Sequence, residues 1–186
     1  MRHLGTIRLE TERLLLRRFT PDDAEAMFAN WASDPDVARF LSWPAHKGMK
    51  VTEKVLSDWV AAYDQPDTYQ WGMEIRATGE LIGSIGVVGH DKDTSAVKIG
   101  YCIGKVWWNR GYTSEALIEL VRFFFEEVGT NRIEACYDPR NPNSGKVMQK
   151  AGMRYEGTLR ESLVSNQGLS DAAYCAILAR DYSKTS

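Results

Sequence analysis

Trp108-Asn109-Arg110-Gly111-Tyr112-Thr113-Ser114-Glu115-Ala116 is the stretch on which the reading of this chain turns. Before it, residues 97–107 are rich in β-branched and aromatic side chains, a strand-like run. After it, Ala116, Leu117, Leu120, Val121, Phe124 and Val128 recur at helical spacing. The bend therefore opens a helix. There the first backbone N–H groups have no partner inside the helix and the positive end of the helix dipole points outward, which suits phosphate. Gly111 lets a ligand approach the backbone, Arg110 adds positive charge, and Thr113 and Ser114 offer hydroxyls. A strand-to-helix turn of ordinary kind also favours glycine and a Ser or Thr cap, so this stretch alone admits both readings.

A second stretch lies downstream, Asn141-Pro142-Asn143-Ser144-Gly145-Lys146-Val147-Met148-Gln149-Lys150-Ala151-Gly152-Met153, after another strand-like run at residues 132–138. In this order the two resemble the motifs of the GNAT acyltransferases: [QR]xxGx[GA], whose amides hold the acetyl-CoA pyrophosphate, then NxxSxxVxxKxGM, with an Asn and a Ser beside the pantetheine arm. Thr11-Glu12-Arg13-Leu14-Leu15-Leu16-Arg17-Arg18-Phe19 and Glu156-Gly157-Thr158-Leu159-Arg160 are similar to the Rim-type (RimJ/RimL-like) ribosomal-protein N-terminal acetyltransferases. Trp108 stands where the wider superfamily often has Arg or Gln; the cradle's contacts come mainly from backbone N–H groups, which tolerate the change.

With 186 residues and 44% hydrophobic content the chain can bury one sizeable core, so residues 1–186 are read as a single domain, which the resemblance implies is an N-acetyltransferase domain. A formal net charge of −2 provides no basic field for nucleic acid. No apolar leader opens the chain and no uncharged run is long enough to cross a bilayer, so no membrane partner and a cytoplasmic location are expected. Cys102, Cys136 and Cys175 lack metal-ligand spacing and read as reduced core thiols; no metal is expected. The expected state is a monomer or homodimer.

Along the chain, residues 13–19 read as a first strand and Thr20-Pro21-Asp22-Asp23 as a helix start. A helix to Trp31, an aromatic loop over residues 40–48, a helix over 52–63 and a hairpin over 69–88 follow, with a polar loop from Gly89 to Ser95. After the strand and long helix come a strand at 132–138, a helix from Ser144 to Ala151 and two last strands. Hairpins first and helix-linked strands later predict an α/β (α+β) fold, a mixed sheet with helices on both faces; the resemblance implies that it is GNAT-like and mostly antiparallel. The resemblance adds a splayed parallel pair, ending near Trp107 and Asp138, that binds CoA.

Acetyl transfer to an amine needs a held acyl carrier, a neutral amine, a donor for the oxyanion and a donor for the leaving thiolate. The resemblance implies acetyl-CoA as co-substrate, with its pyrophosphate on the N–H groups of Asn109, Arg110, Gly111, Tyr112, Thr113 and Ser114. The backbone from Ile103 to Val106 would face the pantetheine. Asn141 would bind that arm or hold its loop, and Ser144 would face the sulfur; capping of the following helix is the competing role for both. For the base, the position aligned with a Rim-type Glu is Leu163, and Glu161, two residues away on one face of a strand, could substitute. Glu134 and Tyr137 compete. Trp43 and His46, in a loop rather than on a periodic apolar face, are the candidate acceptor-pocket residues.

The function expected is an acetyl-CoA-dependent N-acetyltransferase attacking the thioester directly with a primary amine, a protein N-terminus or a small molecule such as a polyamine, aminoglycoside or amino acid. A CoA-binding module without catalysis would keep the cradle but need neither Ser144 nor Asn141. A P-loop hydrolase is excluded by the lack of GxxxxGK[ST].

Overall fold

The computed structural model describes residues 1–182. Eight strands, β1 (Leu9–Glu10), β2 (Leu14–Arg17), β3 (Gln70–Ile75), β4 (Leu81–Asp91), β5 (Ala96–Ile103), β6 (Arg132–Tyr137), β7 (Arg154–Ser165) and β8 (Gly168–Leu178), form one sheet. Their order is β1-β2-β3-β4-β5-β6-β8-β7, and every neighbouring pair is antiparallel except β5 and β6.

Adjacent residues on a strand face opposite ways, and the two cores follow from that alternation. Ile82 joins the core that holds α4 (Tyr112–Phe123) and α5 (Pro142–Lys150), whereas its neighbour Leu81 joins the one that holds α1 (Ala24–Met27), α2 (Pro35–Ala38) and α3 (Met49–Ala62). Helices thus cover both faces. Trp71, Phe123 and Phe124 are fully buried in the first core and meet edge to face at centroid separations of 5.2–6.4 Å. Each such side chain contributes about 1.5–3 kcal/mol through burial.

The predicted elements are present with shifted ends. The N-terminal β1 has too few residues to show alternation and was not anticipated. β4 continues to Asp91 through residues read as loop, because it pairs with β5 up to Ala96. The strand expected to reach Trp107 stops at Ile103; Lys105–Trp107 is a single tight helical turn. α5 begins at Pro142 rather than Ser144, with proline at the first helical position, where its missing N–H costs nothing.

The parallel contact between β5 and β6 is short. It covers Ala96↔Arg132, Val97↔Ile133 and Lys98↔Glu134, while both strands continue beyond it, β5 to Ile103 and β6 to Tyr137. A wedge opens between them toward α4 and α5.

Candidate active site

At one mouth of this wedge lies the turn from Trp108 to Gly111. Gly111 precedes α4 with φ +83°, ψ −1°, and Asn109 is also left-handed at φ +61°. Among the described residues, none accepts a hydrogen bond from the backbone N–H of Asn109, Arg110, Gly111, Tyr112, Thr113 or Ser114. Six successive donors, three of them in the first turn of a helix, therefore remain open for an anion.

A brace holds the turn from behind. Glu115 accepts from the Thr11 hydroxyl (2.5 Å), the Arg13 backbone N–H (2.8 Å) and Arg13 Nε (2.6 Å). Arg13 Nη1 also donates to the Arg110 carbonyl at 3.0 Å, and its guanidinium lies 4.4 Å from the Tyr112 ring centroid. Burial alone would raise the Glu115 carboxyl, but these donors hold it below the ordinary glutamate value, so it stays ionised.

Inside the wedge, Tyr101 from β5 meets Ser144 from α5. Its hydroxyl lies 2.9 Å from both the Ser144 carbonyl oxygen and Ser144 Oγ, and burial pushes the phenol well above its ordinary value. Gly145 lets the Tyr137 ring pack closely, since a Cβ there would lie 2.6 Å from it. Asn141 occupies the capping position of α5, yet neither its side chain nor that of Ser144 caps the helix; the Ser144 N–H donates to the Asn141 carbonyl. The capping alternative for these two side chains is thus not realised. Trp108 Nε1 donates to the Ile103 carbonyl (2.9 Å), so that acceptor, expected to face pantetheine, already has a partner. Val106 is exposed on the turn that follows.

On the opposite face the outcome for the acceptor loop is mixed. Trp43 is half-buried and packs on His46, with centroids 5.4 Å apart. His46 is not at a pocket mouth: it is 9% exposed, its backbone N–H donates to the Ala32 carbonyl and its Nδ1 lies 2.8 Å from Thr52 Oγ1. Burial lowers its pKa, which favours a neutral ring joining the loop to α3. The loop is also tied to the β7–β8 hairpin by Asn166, whose Nδ2 donates to the carbonyls of Ala38, Leu41 and Trp43.

The strand argument for Glu161 fails. Leu159 pairs with Ala172 and Leu163 with Ser170, so β7 takes four steps where β8 takes two, and alternation is lost across this bulge. Glu161 lies exposed within it at φ +50°, its N–H donating to Asp171 Oδ1. Of its competitors, Glu134 is paired with Arg132 at 2.9 Å, and Tyr137 is raised by burial. Cys102 is buried beside Ser84, with its thiol raised by burial, and Cys175 is likewise buried; Cys136 is half-buried rather than core.

The family model for the acetyltransferase (GNAT) domain matches residues 13–154, from the brace through the wedge. The chain belongs to the GNAT acetyltransferase family. This GNAT protein is 34% identical over 158 residues to the uncharacterized N-acetyltransferase YoaA of Bacillus subtilis, covering 85% of this chain and 89% of YoaA. A shorter match, 30% over 87 residues, covers 47% of this chain and 45% of the [ribosomal protein uS5]-alanine N-acetyltransferase of Escherichia coli. The structure of RimL, a ribosomal L7/L12 alpha-N-protein acetyltransferase in complex with coenzyme A, has the same fold, with a TM-score of 0.82 and 16% identity over 92% of this chain and 98% of that one. The protein is an N-acetyltransferase. Among its described residues there is no group of three or more His, Cys, Asp or Glu that could hold a metal, and no helix is long and apolar enough to cross a membrane.

Tyr101, Asn166 and the Thr11–Arg13–Glu115 brace were not singled out from the sequence as site features. Each works through a partner 43 to 128 residues away, and no local pattern announces such a pair.

Proposed function

We propose that this GNAT enzyme acetylates a protein N-terminal α-amine by direct attack on the acetyl-CoA thioester. The observation that carries the cofactor half is the run of six open N–H groups at the start of α4. The acceptor half draws support from the similarity to relatives named as ribosomal-protein N-acetyltransferases.

In this reading the donors from Asn109 to Ser114 bind the pyrophosphate, and the backbone edge of β5 beyond Lys98 binds the pantetheine as a substitute strand. The edge groups are available because β6 pairs with β5 only as far as Lys98. An N–H near Cys102 or Ile103 meets the developing oxyanion. Asn141 holds the pantetheine, Ser144 faces the sulfur and Trp43 lines the acceptor entrance. Transfer forms an N–C bond and breaks the C–S bond; the ammonium proton leaves through a base, for which Glu161, exposed on the bulge, is the candidate reached through water.

An acetyl-CoA consumption screen tests this. Peptides beginning with Ala, Ser or Thr should be turned over, and the same peptides with a blocked N-terminus should not. Turnover confined to polyamines, aminoglycosides or free amino acids would replace this reading with a small-molecule one.

A further inference from the structure

Tyr101 has one hydroxyl proton and two oxygen neighbours at 2.9 Å, the Ser144 carbonyl and Ser144 Oγ. The carbonyl can only accept, whereas the serine hydroxyl can accept or donate. Two proton arrangements therefore fit the same heavy atoms. In one, tyrosine donates to the carbonyl and serine donates to tyrosine, which points the serine proton away from any third partner. In the other, tyrosine donates to Ser144 Oγ and the serine proton is free to turn elsewhere.

We propose that Tyr101 is the positioning residue of Ser144: its O–H turns from the Ser144 carbonyl to donate to Ser144 Oγ as negative charge develops on the CoA sulfur, freeing the serine O–H to point toward that sulfur. The inference rests on the reading of Ser144 as the sulfur-facing donor. When the C–S bond breaks, its electron pair stays on sulfur, the Ser144 O–H hydrogen-bonds to it, and the Tyr101 O–H polarises that bond from behind. Neither residue loses its proton. Burial raises the phenol and so keeps it protonated, and Tyr101 remains a donor throughout. The Ser144 carbonyl is not stranded by the switch, because its place in the first turn of α5 gives it the N–H one turn on.

The test combines turnover with a binding readout. Tyr101→Phe removes one oxygen and keeps the ring. It should lower kcat about tenfold, the effect of one positioned hydrogen bond, and leave the KM for acetyl-CoA within about twofold. Ultraviolet titration of the bound CoA thiol, with desulfo-CoA as blank, should show its pKa rising by about one pH unit in Tyr101→Phe and at least as much in Ser144→Ala. In a Ser144→Ala background, Tyr101→Phe should add nothing. As a second variant, 3,5-difluorotyrosine at 101, a better donor in an almost unchanged shape, should move the thiol pKa the other way. If Ser144→Ala changes kcat and the thiol pKa but Tyr101→Phe changes neither, the positioning role is wrong and the Ser144 reading stands. If Ser144→Ala changes neither, that reading fails and takes this proposal with it. An equal loss from Tyr101→Phe with and without Ser144 would show Tyr101 acting independently and overturn the proposal.

Discussion

Replacing Gly111 by alanine separates an anion cradle from an ordinary turn. Its φ of +83° lies where a Cβ is disfavoured, yet the added atom would meet only an Arg13 guanidinium nitrogen, at 3.4 Å. The folding cost is therefore that of the backbone conformer, about 1–2 kcal/mol, not of a packing clash. In a chain of this length that lowers Tm by roughly 2–8 °C without abolishing folding. Binding should suffer far more. The new methyl group stands among donors that must reach phosphate, and each such charge-assisted bond is worth about 1.5–3 kcal/mol. Losing two of them raises the CoA Kd by about 10²–10⁴. Melting curves with and without millimolar acetyl-CoA, together with calorimetric affinities, measure both effects. Acetyl-CoA should raise the wild-type Tm, since it binds only the folded state, and leave the variant's almost unchanged. A folded Gly111→Ala that binds CoA within threefold of wild type would refute the cradle.

Ser144→Ala should reduce kcat by about ten- to a thousandfold with CoA affinity retained; because the hydroxyl bonds Tyr101 and does not cap α5, Tm should hardly move. The Glu115 carboxyl is held below its ordinary 4.5, so its contribution to stability is present above that pH and lost as pH falls through the folded value. Glu115→Gln should accordingly flatten the acid side of a Tm-against-pH curve and lower Tm at neutral pH. For His46 the depressed pKa means that below about pH 6.5 the unfolded chain takes up a proton the folded one refuses. Stability should decline with acidification there, and His46→Gln should remove that decline while leaving kcat intact. Asn166→Ala removes the side-chain tie to the carbonyls of Ala38, Leu41 and Trp43, leaving the backbone bond from residue 166 to Leu41, and should raise the acceptor KM severalfold without altering that for acetyl-CoA.

What the sequence revealed was whatever is local. Hydrophobic spacing located the long helix and the β3–β4 hairpin, and the glycine turn before α4 marked the cradle because its chemistry is carried by consecutive residues. Long-range partnerships were invisible. His46, in an aromatic and proline-rich loop, reads from the sequence as an acceptor-pocket residue; only its contact with Thr52 and the Ala32 carbonyl makes it structural. Glu161 was placed by strand alternation, a rule that holds until a bulge intervenes, and nothing between Leu159 and Leu163 signals one as a glycine would. Trp108, a departure from the family pattern, acquires a local purpose through its bond to the Ile103 carbonyl.

The short β5–β6 contact has a mechanical consequence. Strands β1 to β5 form an antiparallel meander and β6, β8 and β7 a second antiparallel group, and in the sheet itself three residue pairs join them. Each half has its own internal ladder, so this seam is the narrow joint between the two. In the proposed binding mode a pantetheine in the wedge would act as a splint across that seam, and its departure after transfer would remove the splint. The molecule should therefore be stiffest with its acyl donor bound and most compliant when CoA must leave, which couples product release to the weakest joint in the sheet.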